Sequence, residues 1–295
     1  MTVEKINGEH CLTINNETKT LTQWAKEKTI DYKVLYDRIF SLHWNEEKLF
    51  APVSRIKHQF NEHYFDVIDD EHKAYWLGFI FADGYLNSKQ PTIGIELNHT
   101  DIEHLYKFKN DLKSNLDVKT YNKNSTFGPQ TNCRFVFNNK TMYKALQSHG
   151  ITPTKSLDGN FPIIDDDRYI KDVIRGILDG DGSIRYRIGA NGLPTANMNI
   201  CGTKAVLQTI EKYSGFEWSW SQRHPDRDID NYSIGTGRQN EIIKFLNKLY
   251  DDASVYLDRK YAIYQDIING RKDFIDTRIP NHIINKQNEA VGENK

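Results

Sequence analysis

Two stretches decide the fold: Trp76-Leu77-Gly78-Phe79-Ile80-Phe81-Ala82-Asp83-Gly84 and Ile174-Arg175-Gly176-Ile177-Leu178-Asp179-Gly180-Asp181-Gly182. Each reads as an apolar helix that stops at a small-Asp-Gly sequence. Small residues recur at i and i+4 (Gly78 and Ala82; Gly176 and Gly180), so each helix carries a notch on one face. A helix-interior glycine costs roughly 1 kcal/mol against alanine, and a close helix–helix approach is the packing reason that offsets it. Gly84 and Gly182 come where the helix ends and the chain turns into a strand. Two helices packed through these notches bring Asp83 and Asp181 out together at their C-terminal ends.

Working outward, the chain repeats itself. After the first stretch come a strand at 92–97, an amphipathic helix from Asp101 to Leu112, strands near 117–122 and 133–138, and a helix from Lys140 to His149. After the second come strands at 184–188 and 196–201, a helix from Thr203 to Tyr213, strands at 216–222 and 231–236, and a helix from Gln239 to Tyr250. The two aspartates are 98 residues apart. Such a duplication predicts two similar half-domains about a pseudo-twofold axis, at 65–160 and 161–275, followed by a polar tail at 276–295.

Two carboxylates at neighbouring helix C-termini repel each other and face the negative ends of the helix dipoles. A hard divalent cation removes that conflict. Mg2+ takes one or two carboxylates together with waters and phosphate oxygens, the arrangement with which phosphodiesters are hydrolysed without a covalent intermediate.

The two stretches, at 76–84 and 174–182, resemble the motif of the LAGLIDADG homing endonucleases, and the repeat extends the resemblance over nearly all of 70–270. It implies an α+β fold: two pseudosymmetric αββαββα halves with saddle-shaped antiparallel sheets. It also implies a metal-dependent DNA endonuclease acting as a monomer on a long specific duplex site. Asp83 and Asp181 match the metal-binding positions, for Mg2+ with Mn2+ or Ca2+ as possible substitutes. The earlier acidic position is Asp179 in one motif and Phe81 in the other, so Asp179 reads as a local helix-end hydrogen bonder. The family places a basic or polar residue near each metal site. Lys155 follows Asp83 by 72 residues and Lys260 follows Asp181 by 79, each after the last helix of its half. They are the candidates to assist at phosphate or water. Asn98 and His99 are secondary candidates, replaced in the second repeat by Cys201 and Gly202. The sheets of this family straddle DNA, and Arg185, Arg187, Gln222 and Arg223 are the polar candidates for contact. Trp218 and Trp220 fit core as well as contact.

Residues 1–57 read as a separate, small all-α unit. Thr20 to Lys28 and Tyr32 to Phe40 are two short helices, each behind a capping residue and joined by a turn at Thr29-Ile30-Asp31. The pair resembles a helix-turn-helix module, with Tyr32, Lys33 and Tyr36 as DNA-facing candidates. A helical hairpin packed on the main domain is the alternative.

The bulk properties bound these readings. Net charge is −1 over 295 residues, unlike a protein that merely coats DNA, although a site-specific enzyme can gather its positive charge on one face. Three scattered cysteines exclude a disulfide framework and suit a reducing cytoplasm. No stretch approaches the roughly 20 apolar residues of a membrane span, and no signal peptide is read. Around Asp179-Gly180-Asp181 an EF-hand register would put isoleucines at two ligand positions, which rejects a calcium loop. A non-catalytic nucleic-acid-binding protein on the same fold, an RNA maturase or a DNA-binding regulator, stays open as the competing function.

Overall fold

The structure, a computed structural model, describes residues 1–52, 58–125, 128–155, 159–189, 192, 194–223 and 230–278. Its contacts divide the chain into two units, Met1–Lys57 and His58–Lys295.

The first unit corrects the all-α expectation. It opens with a three-stranded antiparallel sheet, β1 (Thr2–Ile6), β2 (Glu9–Ile14) and β3 (Glu17–Thr20). Asn7-Gly8 and Asn15-Asn16 form the two turns, all four residues at positive φ, as two-residue type I′ hairpin loops require. The strands escaped notice because β1 is almost wholly exposed and shows no apolar alternation; the Asn-Gly pair was the available signal. Then come α1 (Leu21–Glu27), α2 (Tyr32–Phe40) and α3 (Glu46–Leu49). Thr20 and Gln23 form a capping box on α1, and Asp31 accepts from Lys33 and Val34 to start α2. Trp24 Nε1 donates to the Leu12 carbonyl at 2.8 Å and ties α1 to the sheet. Thr29, between α1 and α2, sits at φ 51°, a conformation costly for a β-branched residue.

The second unit begins with α4 (Glu71–Asp83), β4 (Gly84–Leu86), β5 (Thr92–Asn98), α5 (Ile102–Asp111), β6 (Lys119–Ser125), β7 (Gly128–Asn138) and α6 (Lys140–Ser148). It continues with α7 (Ile170–Asp181), β8 (Gly182–Ile188), β9 (Pro194–Gly202), α8 (Lys204–Ser214), β10 (Ser219–Gln222), β11 (Tyr232–Thr236) and α9 (Gln239–Tyr250). The element order αββαββα therefore occurs twice. The two antiparallel sheets share one strand order, β4-β5-β7-β6 and β8-β9-β11-β10. A further helix, α10 (Asp258–Arg278), packs along β8 and β9. It was not expected, and Lys260 lies in its first turn. Beyond Arg278 the expected polar tail lies outside the described residues.

The helices α4 and α7 pack against each other through their small residues. A Cβ on Gly78 would run into the Val173 carbonyl, and one on Gly176 into the Tyr75 carbonyl and the Phe79 nitrogen. Gly180 lies against the methyl of Ala82. One apolar cluster surrounds the pair and takes in both repeats: Phe79, Ile80, Phe108 and Phe135 from one, Ile177, Leu178, Ile200 and Phe245 from the other. Burial alternates along the strands. Ile93, Ile95 and Leu97 of β5, and Ala196, Met198 and Ile200 of β9, face this core.

At the N-terminal end of the pair sits a closed ionic cluster. The fully buried Arg175 donates to Asp172 (2.8 Å), Glu71 (2.7 Å) and the carbonyls of Leu249 (2.8 Å) and Val255 (3.0 Å). Glu71 also accepts from the backbone N–H and hydroxyl of Ser254. Every strong charge at this end has a partner, as buried charges require.

Candidate active site

Asp83 and Asp181 are the last residues of α4 and α7, and the glycine-notched packing brings the two helix ends together. Asp83 is half-buried, and Asp181 reaches solvent. Burial, and then the charge of Asp181, push the Asp83 carboxyl up to about 6. Burial raises Asp181 as well, against the pull of Lys155, Lys260 and Arg223. Neither carboxylate has an ion pair or a side-chain hydrogen bond within the described residues.

The two lysines are engaged elsewhere. Lys155 Nζ donates to the carbonyls of Phe81 and of Ala82 (2.8 Å), the free carbonyls at the end of α4. Lys260 Nζ donates to the carbonyls of Leu178 (2.6 Å), Asp179 (2.7 Å) and Gly182 (2.6 Å), the same position on α7. Both lysines are buried, and burial lowers both, Lys260 to about 8. An ammonium has three protons, so Lys260 has none left for phosphate or water, while Lys155 has one. Their electrostatic partners are crossed. Lys155 bears most on Asp181 of the other repeat, and among the lysines Lys260 weighs most on Asp83.

Asp179 is not a local helix-end hydrogen bonder. It is fully buried and accepts from Tyr75 Oη (2.8 Å), Tyr250 Oη (2.5 Å) and the Leu257 N–H (2.8 Å). It therefore joins α4, α7, α9 and the chain leading into α10. Nothing in the local sequence announces partners 71 to 104 residues away. Tyr75 Oη, having donated to Asp179, accepts from His104 Nε2 at 3.0 Å, and burial holds His104 neutral with its pKa down to about 3.

Beside Asp181 lies a cavity of about 100 Å3, walled by Phe81 and Lys155 from the first repeat and by Cys201, Thr203, Arg223 and Asn231 from the second. Asn231 Oδ1 is buried without a hydrogen-bond partner among the described residues. Sequence reading missed Asn231, which comes near Asp181 through the pairing of β11 with β9 and of β9 with β8. No group of three or more His, Cys, Asp or Glu side chains is placed to hold a metal ion by itself among the described residues. Two carboxylates with an unsatisfied amide oxygen beside one of them form a donor set that fits a hard cation otherwise held by water and phosphate oxygens.

Asn98 Oδ1 accepts from Thr100 N–H and caps a short helical turn, and His99 is exposed; neither lines the cavity. Arg185 and Arg187 project from the exposed face of β8, across from Asn197 and Thr195 on β9. Gln222 is exposed at the end of β10 but shares parity with Trp220, on the opposite face of the sheet. Trp218 is buried and stacks on Phe216, so it belongs to the core. In the first unit Tyr32 and Lys33 are exposed at the start of α2, while Tyr36 is half-buried against His10 and Phe40.

No family model and no curated sequence matches the chain. Among solved structures it is similar to the LAGLIDADG homing endonuclease I-GzeII in complex with its DNA target, at 12% identity and TM-score 0.48, over 72% of this chain and 94% of that one. It is also similar to the LAGLIDADG homing endonuclease I-LtrWI bound to target DNA, at 11% identity and TM-score 0.48, over 74% and 92%. A third similarity is to full-length DUF199/WhiA from Thermatoga maritima, at 15% identity and TM-score 0.43, over 79% and 72%.

Proposed function

We propose that this chain is a DNA endonuclease of the LAGLIDADG type, with two pseudosymmetric halves that act as a monomer on a long specific duplex and hydrolyse both strands. The observation that carries this is the delivery of Asp83 and Asp181, without an ion-pair partner among the described residues, to one place by a helix pair whose glycines allow nothing bulkier. Binding without chemistry has no use for two repelling carboxylates.

In this function Asp83 and Asp181 would hold Mg2+, and Asn231, with its unpartnered Oδ1, would line the same site. When bound, the ion supplies charge neutralisation at the phosphate and a water of lowered pKa. Lys155 and Lys260 close the ends of the two motif helices and fix the rotation at which each aspartate leaves its helix. Arg185 and Arg187, on the exposed face of β8, meet DNA, and α2 adds Tyr32 and Lys33 from a helix-turn-helix unit.

One observation favours a non-catalytic nucleic-acid-binding protein, an RNA maturase or a DNA-binding regulator: Lys260 commits every proton to backbone. Incubating the full chain with a randomised duplex library separates the two. The nuclease gives double-strand cuts at one recurrent sequence with Mg2+ and none with EDTA. Sequence-specific retention of DNA or of intron RNA with no cut in Mg2+ or Mn2+ overturns it.

A further inference from the structure

Within one turn of Asp181 the second repeat buries a carboxylate where the first has a phenyl ring. The 98-residue offset between the motifs sets Asp179 opposite Phe81, and Val173 opposite Tyr75. Phe81 fills its place with apolar contact in the core, so this position of the fold does not require a charge. A buried carboxylate is costly unless hydrogen bonds offset the loss of water. Asp179 has three, and they close a ring. The Leu257 N–H donates to Asp179 Oδ2 at 2.8 Å, and the Leu257 carbonyl accepts from the Lys260 N–H at 2.9 Å. Lys260 Nζ then returns to the Asp179 carbonyl at 2.7 Å. The first repeat grips this ring from two sides. Inside, Tyr75 Oη of α4 donates to the same Oδ2. Outside, Lys107 of α5 donates to the Tyr256 carbonyl (2.9 Å) and to Asp258 (2.6 Å), and Arg259 pairs with Asp101 at 3.0 Å.

Resting on the nuclease function proposed above, we infer that Asp179 is a positioning residue of the candidate active site. It sets α7 and the start of α10 against α4, so that Asp181 stands beside Asp83 in one fixed geometry. An apolar side chain in its place would fill the core but would impose no direction; hydrogen bonds to donors on three other segments do. Tyr75 lies eight residues before Asp83 on α4, and Asp179 lies two before Asp181 on α7. The bond between them therefore couples the rotations of the two helices that end in the paired carboxylates.

A reacting group misplaced by about 1 Å loses roughly 100-fold in rate, and groups that orient metal ligands cost roughly 10- to 100-fold when removed. The loss of Asp179 should act on cutting and on metal affinity, and leave the DNA-binding surface unaltered.

The test uses the full chain and two substitutions that keep the core filled. Asp179→Asn offers one oxygen to three donors, and Tyr75→Phe removes the donor on α4. Trp218→Phe, in the core against Phe216 and Phe245, controls for lost stability alone. Cutting of the duplex recovered from the library is followed in a single turnover at saturating protein with Mg2+. It falls roughly 10- to 100-fold in both variants, while Kd for that duplex in Ca2+ stays within about twofold of the parent's. Trp218→Phe cuts at the parent's rate. Parental rates in both folded variants, or an equal slowing in Trp218→Phe, overturn the inference. If Asp179→Asn does not fold, Tyr75→Phe alone decides. A second measurement needs no cleavage. Luminescent Tb3+, a hard cation, is titrated into the metal-free chain, and the signal lost in Asp83→Asn marks the site. Asp179→Asn and Tyr75→Phe bind it at least about tenfold more weakly than the parent. Equal affinity, or no signal that depends on Asp83, overturns the inference. If the parent cuts no duplex at all, the nuclease function fails, and the Tb3+ titration still decides on Asp179.

Discussion

The two ends of the α4–α7 helix pair carry acidic residues and are built in opposite ways. At the N-terminal end Asp172 and Glu71 share the buried guanidinium of Arg175, and Ser254 completes the set. At the C-terminal end Asp83 and Asp181 have no such partner among the described residues, although two buried ammonium groups are close by. Those ammoniums point at backbone carbonyls instead. The contrast teaches that the fold neutralises acidic groups where it needs rigidity. Where it leaves a pair of them open, something from outside is to supply the charge.

The largest effect expected from breaking this contrast is at the closed end. Arg175→Met leaves Asp172 and Glu71 without their shared guanidinium and should lower unfolding free energy by about 3–5 kcal/mol in urea titration. A loss under about 1 kcal/mol would mean that the cluster is no clamp.

Next come the lysines. Lys260→Met strands three carbonyls and Lys155→Met two, so costs of about 2–4 and 1–3 kcal/mol are expected, with Lys260 the larger. The reverse order would contradict the unequal roles assigned to them.

The open end should show itself in pH dependence. The folded Asp83 carboxyl sits at about 6 against 3.8 in an unstructured chain, so the native state binds the extra proton. Its contribution is fully present below pH 4 and is lost as pH rises through 6. With EDTA present, Asp83→Asn should therefore be more stable than the parent at pH 7.5 by on the order of 1 kcal/mol, and no more stable at pH 4. Equal stabilities at both values would remove the charge conflict from the account.

Much of this frame was legible in the sequence, and the reasons for what was not are physical. Gly78, Gly176 and Gly180 announced a close helix contact, because a helix glycine without a neighbour is a net loss. Apart from β4 (Gly84–Leu86), the strands and helices after each motif followed from apolar spacing, including Gln239–Tyr250 to the residue. Polarity alone said little about partners. Asp179 read as a local helix-end hydrogen bonder, yet it accepts hydrogen bonds from Tyr75, Tyr250 and Leu257 in the interior. Lys155 and Lys260 stood out by position, but only folding shows that their protons meet carbonyls. Arg223 and Asn231 become neighbours through strand pairing, a long-range event that no local pattern encodes. The N-terminal sheet did have a signal, Asn7-Gly8, without the alternating apolar residues that usually accompany it.

The central claim is that the open carboxylates act together on DNA. Its most direct test is Mg2+-dependent cutting of the recovered duplex by Asp83→Asn and Asp181→Asn, each first shown to be folded. The account predicts that double-strand cleavage falls by at least about 1000-fold in each variant while binding in Ca2+ is retained. Linear product formed at the parent's rate by either variant would contradict it.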